Sequence, residues 1–316
     1  MLAFLARRLC FAAFLVFAVS SGALVLARLA PGDFATADLG VRAQSAEAGR
    51  LRSRYGLDRP LGAQYAEWLS RAARFDFGES MLYGRPVRDL IPERAANTAV
   101  LALAALAVAT LIGLPLGVIT GSGRGGLPAA IIRAGSVALL SAPPLLTSLF
   151  LVFLAARTRL LPVGGMGGST GAAGGALADF VRHLIVPAAA LALPLAAMFE
   201  RLQSQAMSET IAQRFVLAAL ARGIPWPRVL WRGAFKAALR PVASVYGIVV
   251  GTLLSGSFAV EIITSWPGLG RLMLDALRYR DVYLVAGCAA AGAVFLAIGT
   301  LMSDVALALV DPRTQE

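Results

Sequence analysis

Ala218-Ala219-Leu220-Ala221-Arg222-Gly223-Ile224-Pro225-Trp226-Pro227 lies in a basic segment, Arg201 to Pro241, that interrupts an otherwise oily chain. Its small residues predict a helix closed by Gly223, because glycine enters the left-handed C′ conformation without steric cost. Pro225 or Pro227 then opens a second helix. In that helix Arg228, Arg232, Lys236 and Arg240 recur every four residues, which sets them in one row on one face. The segment reads as a helix-turn-helix outside the hydrocarbon, with a basic ridge beside an apolar one.

The surrounding chain is 316 residues long, 58% hydrophobic and only 15% charged, with a mean hydropathy of +0.73. That is too apolar for a soluble domain, so the class is an all-α polytopic membrane protein. Six apolar segments follow one another: Leu9 to Ala30, Thr98 to Thr120, Ala134 to Ala156, Leu184 to Phe199, Val242 to Ile263 and Val282 to Val310. Each approaches or exceeds the roughly 20 residues needed to cross a bilayer, except the fourth, which is short and holds Pro187 and Pro194. Six crossings put both termini on one side. The chain divides into residues 1–30 with the first span, an outer loop over 31–95, and a core over 96–316 that carries the basic segment at 201–241.

Basic residues near span ends are retained in the cytoplasm. Arg7-Arg8, Arg124, Arg133 and the seven basic residues from Arg201 to Arg240, set against Glu209 alone, mark the inner face and place both termini there. The loop from Pro31 to Ala95 is assigned to the outside: its ten arginines are matched by nine acids, and its length exceeds the reach of the rule. The net charge of +11 is divided among loops separated by spans, which points to membrane topology and lipid rather than to nucleic acid. Cys10 and Cys288 fall near opposite faces, too far apart for a disulfide, and read as packing residues. The first apolar stretch is longer than a signal-peptide core and is kept as a retained helix.

Catalytic and metal chemistry find no purchase in the sequence. Lys236 is the only lysine and Ala237 follows it, so no phosphate-binding loop exists here, and any ATP that drives this chain is bound elsewhere. His183 is the sole histidine and reads as a capping or interfacial residue at the start of the fourth span. Ser255 belongs to a different span from His183, and with Gly251 and Gly256 it reads as a small residue for close helix approach rather than as a nucleophile. Glu261 and Asp304 are the acids nearest the hydrocarbon, each close enough to an interface to be hydrated, and no ionisable residue is found in the middle of a span. An ion-coupled carrier or a channel acting without an ATPase, the alternative class, calls for such midplane groups or a filter-like loop.

The basic segment resembles the cytoplasmic signature loop of ABC importer permeases. The wider chain is similar to the dipeptide, oligopeptide and nickel type in its first-permease form. The likeness rests on Arg7-Arg8, Ala30-Pro31-Gly32-Asp33, Tyr55 to Leu61, Gln64-Tyr65 and Trp68-Leu69. It continues through Asp76-Phe77-Gly78 with Ser80, Asn97-Thr98, Leu161-Pro162-Val163 with Gly165, and His183 with Pro187. Ser265-Trp266-Pro267-Gly268-Leu269-Gly270, Arg280-Asp281 with Tyr283, and Asp311-Pro312-Arg313 complete it. Departures are Leu217 where many importers carry the signature glutamate, Ser204 where a second arginine is expected after Arg201, and Phe75 where a glycine usually precedes the aspartate. Leu307 replaces a usual tyrosine, and Arg240 replaces an apolar residue before Pro241.

The resemblance implies a type I ABC importer permease fold in a bacterial inner membrane, and half of a path for a small solute, with peptides first among the candidates. It implies a second homologous permease, two ATP-binding subunits that hold ATP and Mg, and an extracytoplasmic substrate-binding protein. This chain itself would carry no catalytic residue, metal or cofactor. Ala218, Ala219, Arg222, Gly223 and Ile224 would form the ATPase-coupling loop, with Arg222 paired to acids on the partner. The row from Arg228 to Arg240 has a second reading as a face that snorkels to lipid headgroups. Trp266, Pro267, Gly268 and Gly270 shape either an outer gate or merely a turn. The outer loop, with short helices expected around Trp68-Leu69 and Phe75 to Phe77, reads either as a seat for the binding protein or as a structural cap.

Overall fold

A computed structural model describes residues 2–39, 46–123, 126–167 and 175–310. Arg124 and the tail motif Asp311-Pro312-Arg313 lie outside the described residues, as do the side chains of Ser255, Asp304 and Leu307. The described chain is mostly helical, and one isolated bridge joins Glu79 to Pro86. Five helices are long and apolar enough to cross a membrane: Ala6–Leu29, Val87–Gly121, Gly175–Ile211, Trp226–Leu254 and Val282–Met302. A bent pair, Gly126–Ser141 and Leu145–Thr158, raises the number to six if it counts as one span.

Two compact units divide the fold, one formed by residues 1–99 and 267–297, the other by 100–266 and 298–316. The first contains α1 (Leu2–Leu29), α2 (Phe34–Leu39), α3 (Ala46–Arg54) and α4 (Leu61–Ala72). It also holds the start of α5 (Val87–Gly121) and, later in the chain, α13 (Leu269–Arg278) and most of α14 (Val282–Val310). Trp68 of α4 is buried with Leu24 of α1 and Ala286 of α14, so the loop helices are packed rather than adrift. Asp33 and Thr36 form a reciprocal cap on α2, each side chain accepting from the other's backbone N–H at 2.9 and 2.8 Å. Burial opposes ionisation of Asp33, yet bonds from Arg52 and Thr36 outweigh it and hold the carboxyl below its ordinary range.

A knot of distant motifs closes this unit. Asp281 is wholly buried and accepts bonds from the Ser80 hydroxyl at 2.7 Å, the Leu82 N–H at 3.0 Å and the Leu284 N–H at 3.1 Å. Burial pushes its carboxyl above the ordinary carboxylate range, and those bonds oppose the rise. The ring of Tyr283 lies 3.3 Å from where a Cβ on Gly78 would stand, and Gly78 has φ +95°.

The second unit is organised around α8 (Gly175–Ile211), which packs against α6 (Gly126–Ser141), α7 (Pro144–Thr158), α11 (Phe235–Gly256) and α12 (Phe258–Ile263). Its most intimate neighbour is α5. A Cβ added at Gly113 would lie 2.6 Å from the Ala196 carbonyl oxygen, and one at Gly117 would lie 2.6 Å from that of Glu200. Gly121 repeats the contact against Ser204 and Met207, so the glycines at every fourth position let two backbones touch. A second glycine crossing joins Gly299 of α14 to Gly247 and Gly251 of α11.

Several sequence expectations are corrected. The third segment is not one straight span: α6 and α7 meet at 107° around Pro143, whose extended ψ of 138° feeds Pro144 at the first turn of α7. The fourth is not short. It is part of a 37-residue helix, about 55 Å long, that keeps Pro187 and Pro194 inside it. Proline loses one backbone bond, but within a bilayer surrounding helices make the helical path cheaper than any exposed loop. Nor is the basic helix of the helix-turn-helix a separate element. From α10 (Trp226–Arg228) it passes through a π-helical turn, Val229–Ala234, into α11, so that Pro241 lies within a continuous helix.

Cys288 is a packing residue, whereas Cys10 is exposed on α1. His183 sits inside α8 rather than before it. Phe75 to Phe77 form no helix: Phe75 is 82% exposed with φ +60°, the left-handed conformation that explains why glycine suits this place better.

These geometries set the expected stability of three variants. Gly117→Ala is expected to lower the melting temperature of the purified chain by the equivalent of about 1–3 kcal/mol, because the methyl meets backbone. Gly22→Ala, in a helix with open space around it, should be neutral or slightly stabilising. Phe75→Gly should raise stability by about 0.5–1 kcal/mol, relief of left-handed strain exceeding the added entropy of the unfolded chain. Thermal unfolding of the three variants in one detergent checks each.

Candidate functional site

Helix α9 (Arg214–Ala221) begins three residues after α8 ends and stops as the sequence predicts. The Gly223 N–H donates to the Leu220 carbonyl at 2.9 Å, and the Ile224 N–H donates to the Ala219 carbonyl at 3.2 Å. With Gly223 at φ +77°, these two bonds make a Schellman cap. Val216 anchors the helix inward at 1% exposure. Ala218, Arg222 and Gly223 are exposed, and Ala219 and Ile224 are half-buried. Arg222 turns its Nε back to the Ala218 carbonyl at 3.2 Å.

The surface these residues share is more apolar than their small side chains suggest, because Phe215, Leu217 and Trp231 are also exposed. The sequence reading missed those three. Leu217 was legible as the residue standing in place of a glutamate, and it now extends the apolar surface. Behind it, Val118, Ala206, Met207, Leu230, Ala234 and Ala238 bury together and tie the segment to α5 and α8. Arg228, Arg232, Lys236 and Arg240 are all exposed, across the helix from Val229, Leu230, Ala234 and Ala238.

The Trp266-Pro267-Gly268-Gly270 stretch connects α12 to α13 and is shared between the two units. Trp266 belongs to the second. It is fully buried, donates its N–H to the Glu261 carbonyl at 2.9 Å, and sets its indole 5.9 Å from the Phe180 ring. Ser265 before it takes a left-handed φ of +53°, and the loop residue Gly165 donates to the Thr264 carbonyl at 3.0 Å. Pro267, Gly268 and Gly270 belong to the first unit, where the Asn97 amide donates to the Pro267 carbonyl at 2.9 Å. The Leu269 N–H, between the two glycines, donates to the Thr98 hydroxyl at 2.9 Å. Asn97-Thr98 and this turn are thus one structural feature.

Two acids correct the sequence reading. Glu261 is not hydrated but wholly buried, accepting from the Ser257 hydroxyl at 2.8 Å. Glu200 was missed because the fourth segment seemed to end at Phe199. With α8 continuing to Ile211, Glu200 is 2% exposed and accepts a short bond from the Thr120 hydroxyl. It lines a cavity of about 530 Å³ together with Thr120, Arg133, Ser136, Arg201 and Ser204. Arg133 donates to the Thr120 carbonyl at 2.7 Å. A smaller cavity of about 360 Å³ gathers Arg159, Asp179, Arg182 and His183, with His183 Nδ1 2.8 Å from the Asp179 carbonyl and 3.4 Å from its carboxylate.

Comparison with known proteins gives this geometry its family. The profile of the binding-protein-dependent transport system inner membrane component matches residues 113–316, and the N-terminal profile of the same membrane component matches residues 1–102. The oligopeptide transport system permease protein AppB of Bacillus subtilis is 30% identical over 100% of each chain. The di/tripeptide transport system permease protein DppB of Pseudomonas aeruginosa is 32% identical over 99% of this chain and 98% of its own. The oligopeptide transport system permease protein OppB of Mycobacterium bovis is 34% identical over 82% of each. A helical bundle spanning the bilayer, without catalytic machinery of its own, fits the type I permease fold, and this chain belongs to the family of binding-protein-dependent inner membrane components, the permease subunits of ABC importers.

Proposed function

We propose that this permease forms half of a path for di- or oligopeptides and is driven through α9 by a separate ATPase. The observation that carries the coupling reading is a continuous connection. The Schellman cap holds an exposed surface of Phe215, Leu217, Ala218 and Arg222 directly before the helix that runs from Trp226 into a span. A groove on the ATPase that grips this surface acts on the span through rigid helix, and the small side chains of Ala218 and Ala219 permit the close approach. ATP and Mg belong to that partner.

In this reading α9 and both termini lie in the cytoplasm and the loop over residues 31–95 lies outside, where a substrate-binding protein delivers its cargo. A second, homologous permease completes the path, so the working assembly has two permeases, two ATPases and one binding protein. The peptide assignment rests on the relatives named above, whose transport systems carry oligopeptides and di/tripeptides. The turn from Trp266 to Gly270 is assigned to the outer gate, since burial of Trp266 and the bonds to Pro267 and Leu269 fix its shape.

Gly223→Val tests the coupling. A β-branched residue at φ +77° costs about 1–2 kcal/mol and opens the cap. Vesicles that hold the assembled complex, loaded with ATP and given labelled trialanine and binding protein, should lose about tenfold or more of their uptake while the permease remains in the membrane. Unchanged ATP-dependent uptake by Gly223→Val would refute the role of the cap. Reaction of a cysteine placed at Ala218 with an impermeant maleimide in intact cells would refute the orientation.

A further inference from the structure

The cavity beside Glu200 has a composition that coupling does not explain. Its walls come from the end of α5, from α6 and from α8, all within the second unit. The Glu200 carboxylate is 2% exposed, and among the described residues its sole hydrogen-bond donor is the Thr120 hydroxyl. A buried carboxylate is costly unless paired and fully bonded, and one hydroxyl leaves most of its acceptor capacity unused. Arg133 and Arg201 line the same cavity, yet neither comes within 4.0 Å of Glu200 to form a salt bridge. Arg133 instead commits a donor to the Thr120 carbonyl. One turn along α8, Gln203 is fully buried with neither its amide oxygen nor its amide nitrogen partnered among the described residues. Gln203 packs against Gly117 of α5, and Glu200, which lines the cavity, holds more acceptor capacity than the chain itself satisfies.

The signs of the charges narrow the ligand. A site for a simple anion has no use for a buried carboxylate, and a site for a simple cation has no use for two guanidinium groups. Opposite charges that line one cavity without pairing to each other match a molecule that is itself split between an ammonium and a carboxylate. The hydroxyls of Ser136 and Ser204 supply donors and acceptors for peptide groups. About 530 Å³ lies within the range of small-molecule sites, and an extended tripeptide is about 10 Å long.

We infer that this cavity is a solute site on the permease itself. It reads both ends of a short peptide, with Glu200 receiving the terminal ammonium and Arg133 and Arg201 receiving the terminal carboxylate. The inference rests on the peptide reading above and adds a position and a polarity to it. It also gives a use to Ser204, where an arginine would narrow the cavity and repel the ammonium.

The test uses the full-length chain in lipid nanodiscs with Cys10→Ser, which leaves buried Cys288 unreactive, and with Ser204→Cys as a reporter. The rate of maleimide alkylation is followed against trialanine, N-acetyl-trialanine and trialanine amide. Trialanine is expected to protect the reporter, and each capped peptide should need about tenfold or more higher concentration for half-protection. Glu200→Gln should abolish the preference for a free amine while leaving the preference for a free carboxylate. Arg201→Gln, on the exposed rim where folding is not at stake, should weaken only the latter.

Equal protection by all three peptides, or an undiminished amine preference in Glu200→Gln with the unliganded alkylation rate unchanged, would overturn the assignment. Uptake of trialanine by the complex without protection of the reporter overturns the site and leaves the peptide reading intact. Protection without any ATP-dependent uptake supports the site and removes the reading of its role in import.

Discussion

Contact between the backbones of α5 and α8 is the constraint on which the second unit depends. Lipid tails are as apolar as leucine, so burial alone gives two membrane helices no reason to prefer each other. What remains is dispersion at close range together with weak polar contacts, and both fall away quickly with distance. Gly113, Gly117 and Gly121 remove the side chains that would hold the axes apart, and they do so at successive turns of one face. The same approach brings Thr120 against Glu200 and shapes the polar cavity beside them. A structural device and a chemical one thus share three turns of helix.

The first unit is held by a different force. The turn at Ser80 to Leu82 and the start of α14 converge on the buried carboxyl of Asp281, which accepts from the Ser80 hydroxyl and from backbone N–H groups. Breaking such a site leaves donors unsatisfied in a place without water, so each bond is worth more as a constraint than as net stabilisation. Ser80 and Asp281 are 201 residues apart in the chain, so their pairing joins two distant stretches of this unit. Tyr283 laid over Gly78 seals the same corner with apolar surface.

How much of this was legible depended on whether the controlling physics was local. The cap at Gly223 was readable because a helix stop is written within six residues, and its two hydrogen bonds fall as the pattern requires. The membrane class was readable from composition. The length of α8 was not, since Pro187 and Pro194 look like breaks in a water-based reading, whereas the bilayer makes a bent helix cheaper than a loop. Truncating that helix hid Glu200. The glycine spacing on α5 was present in the sequence, but only the partner backbone distinguishes it from glycines such as Gly22 and Gly292 that face open space. Asp281 and Ser80 both stand in quoted motifs, but nothing near either in the chain announces that they pair.

The coupling proposal also needs a place about which a driven span can turn. Side-chain ridges that interlock must climb out of their grooves before one helix can rotate against another. Where Gly299 meets Gly247 and Gly251, α11 and the end of α14 approach to backbone distance, with no side chain from these three glycines between them. On the near side of that crossing lies the π-helical turn Val229–Ala234, which breaks the regular α-helical bonding between Trp226 and the span. A close backbone crossing and one irregular turn lie along the same span, which would confine a backbone change under displacement to few residues. That combination suits a subunit whose energy must arrive from another chain.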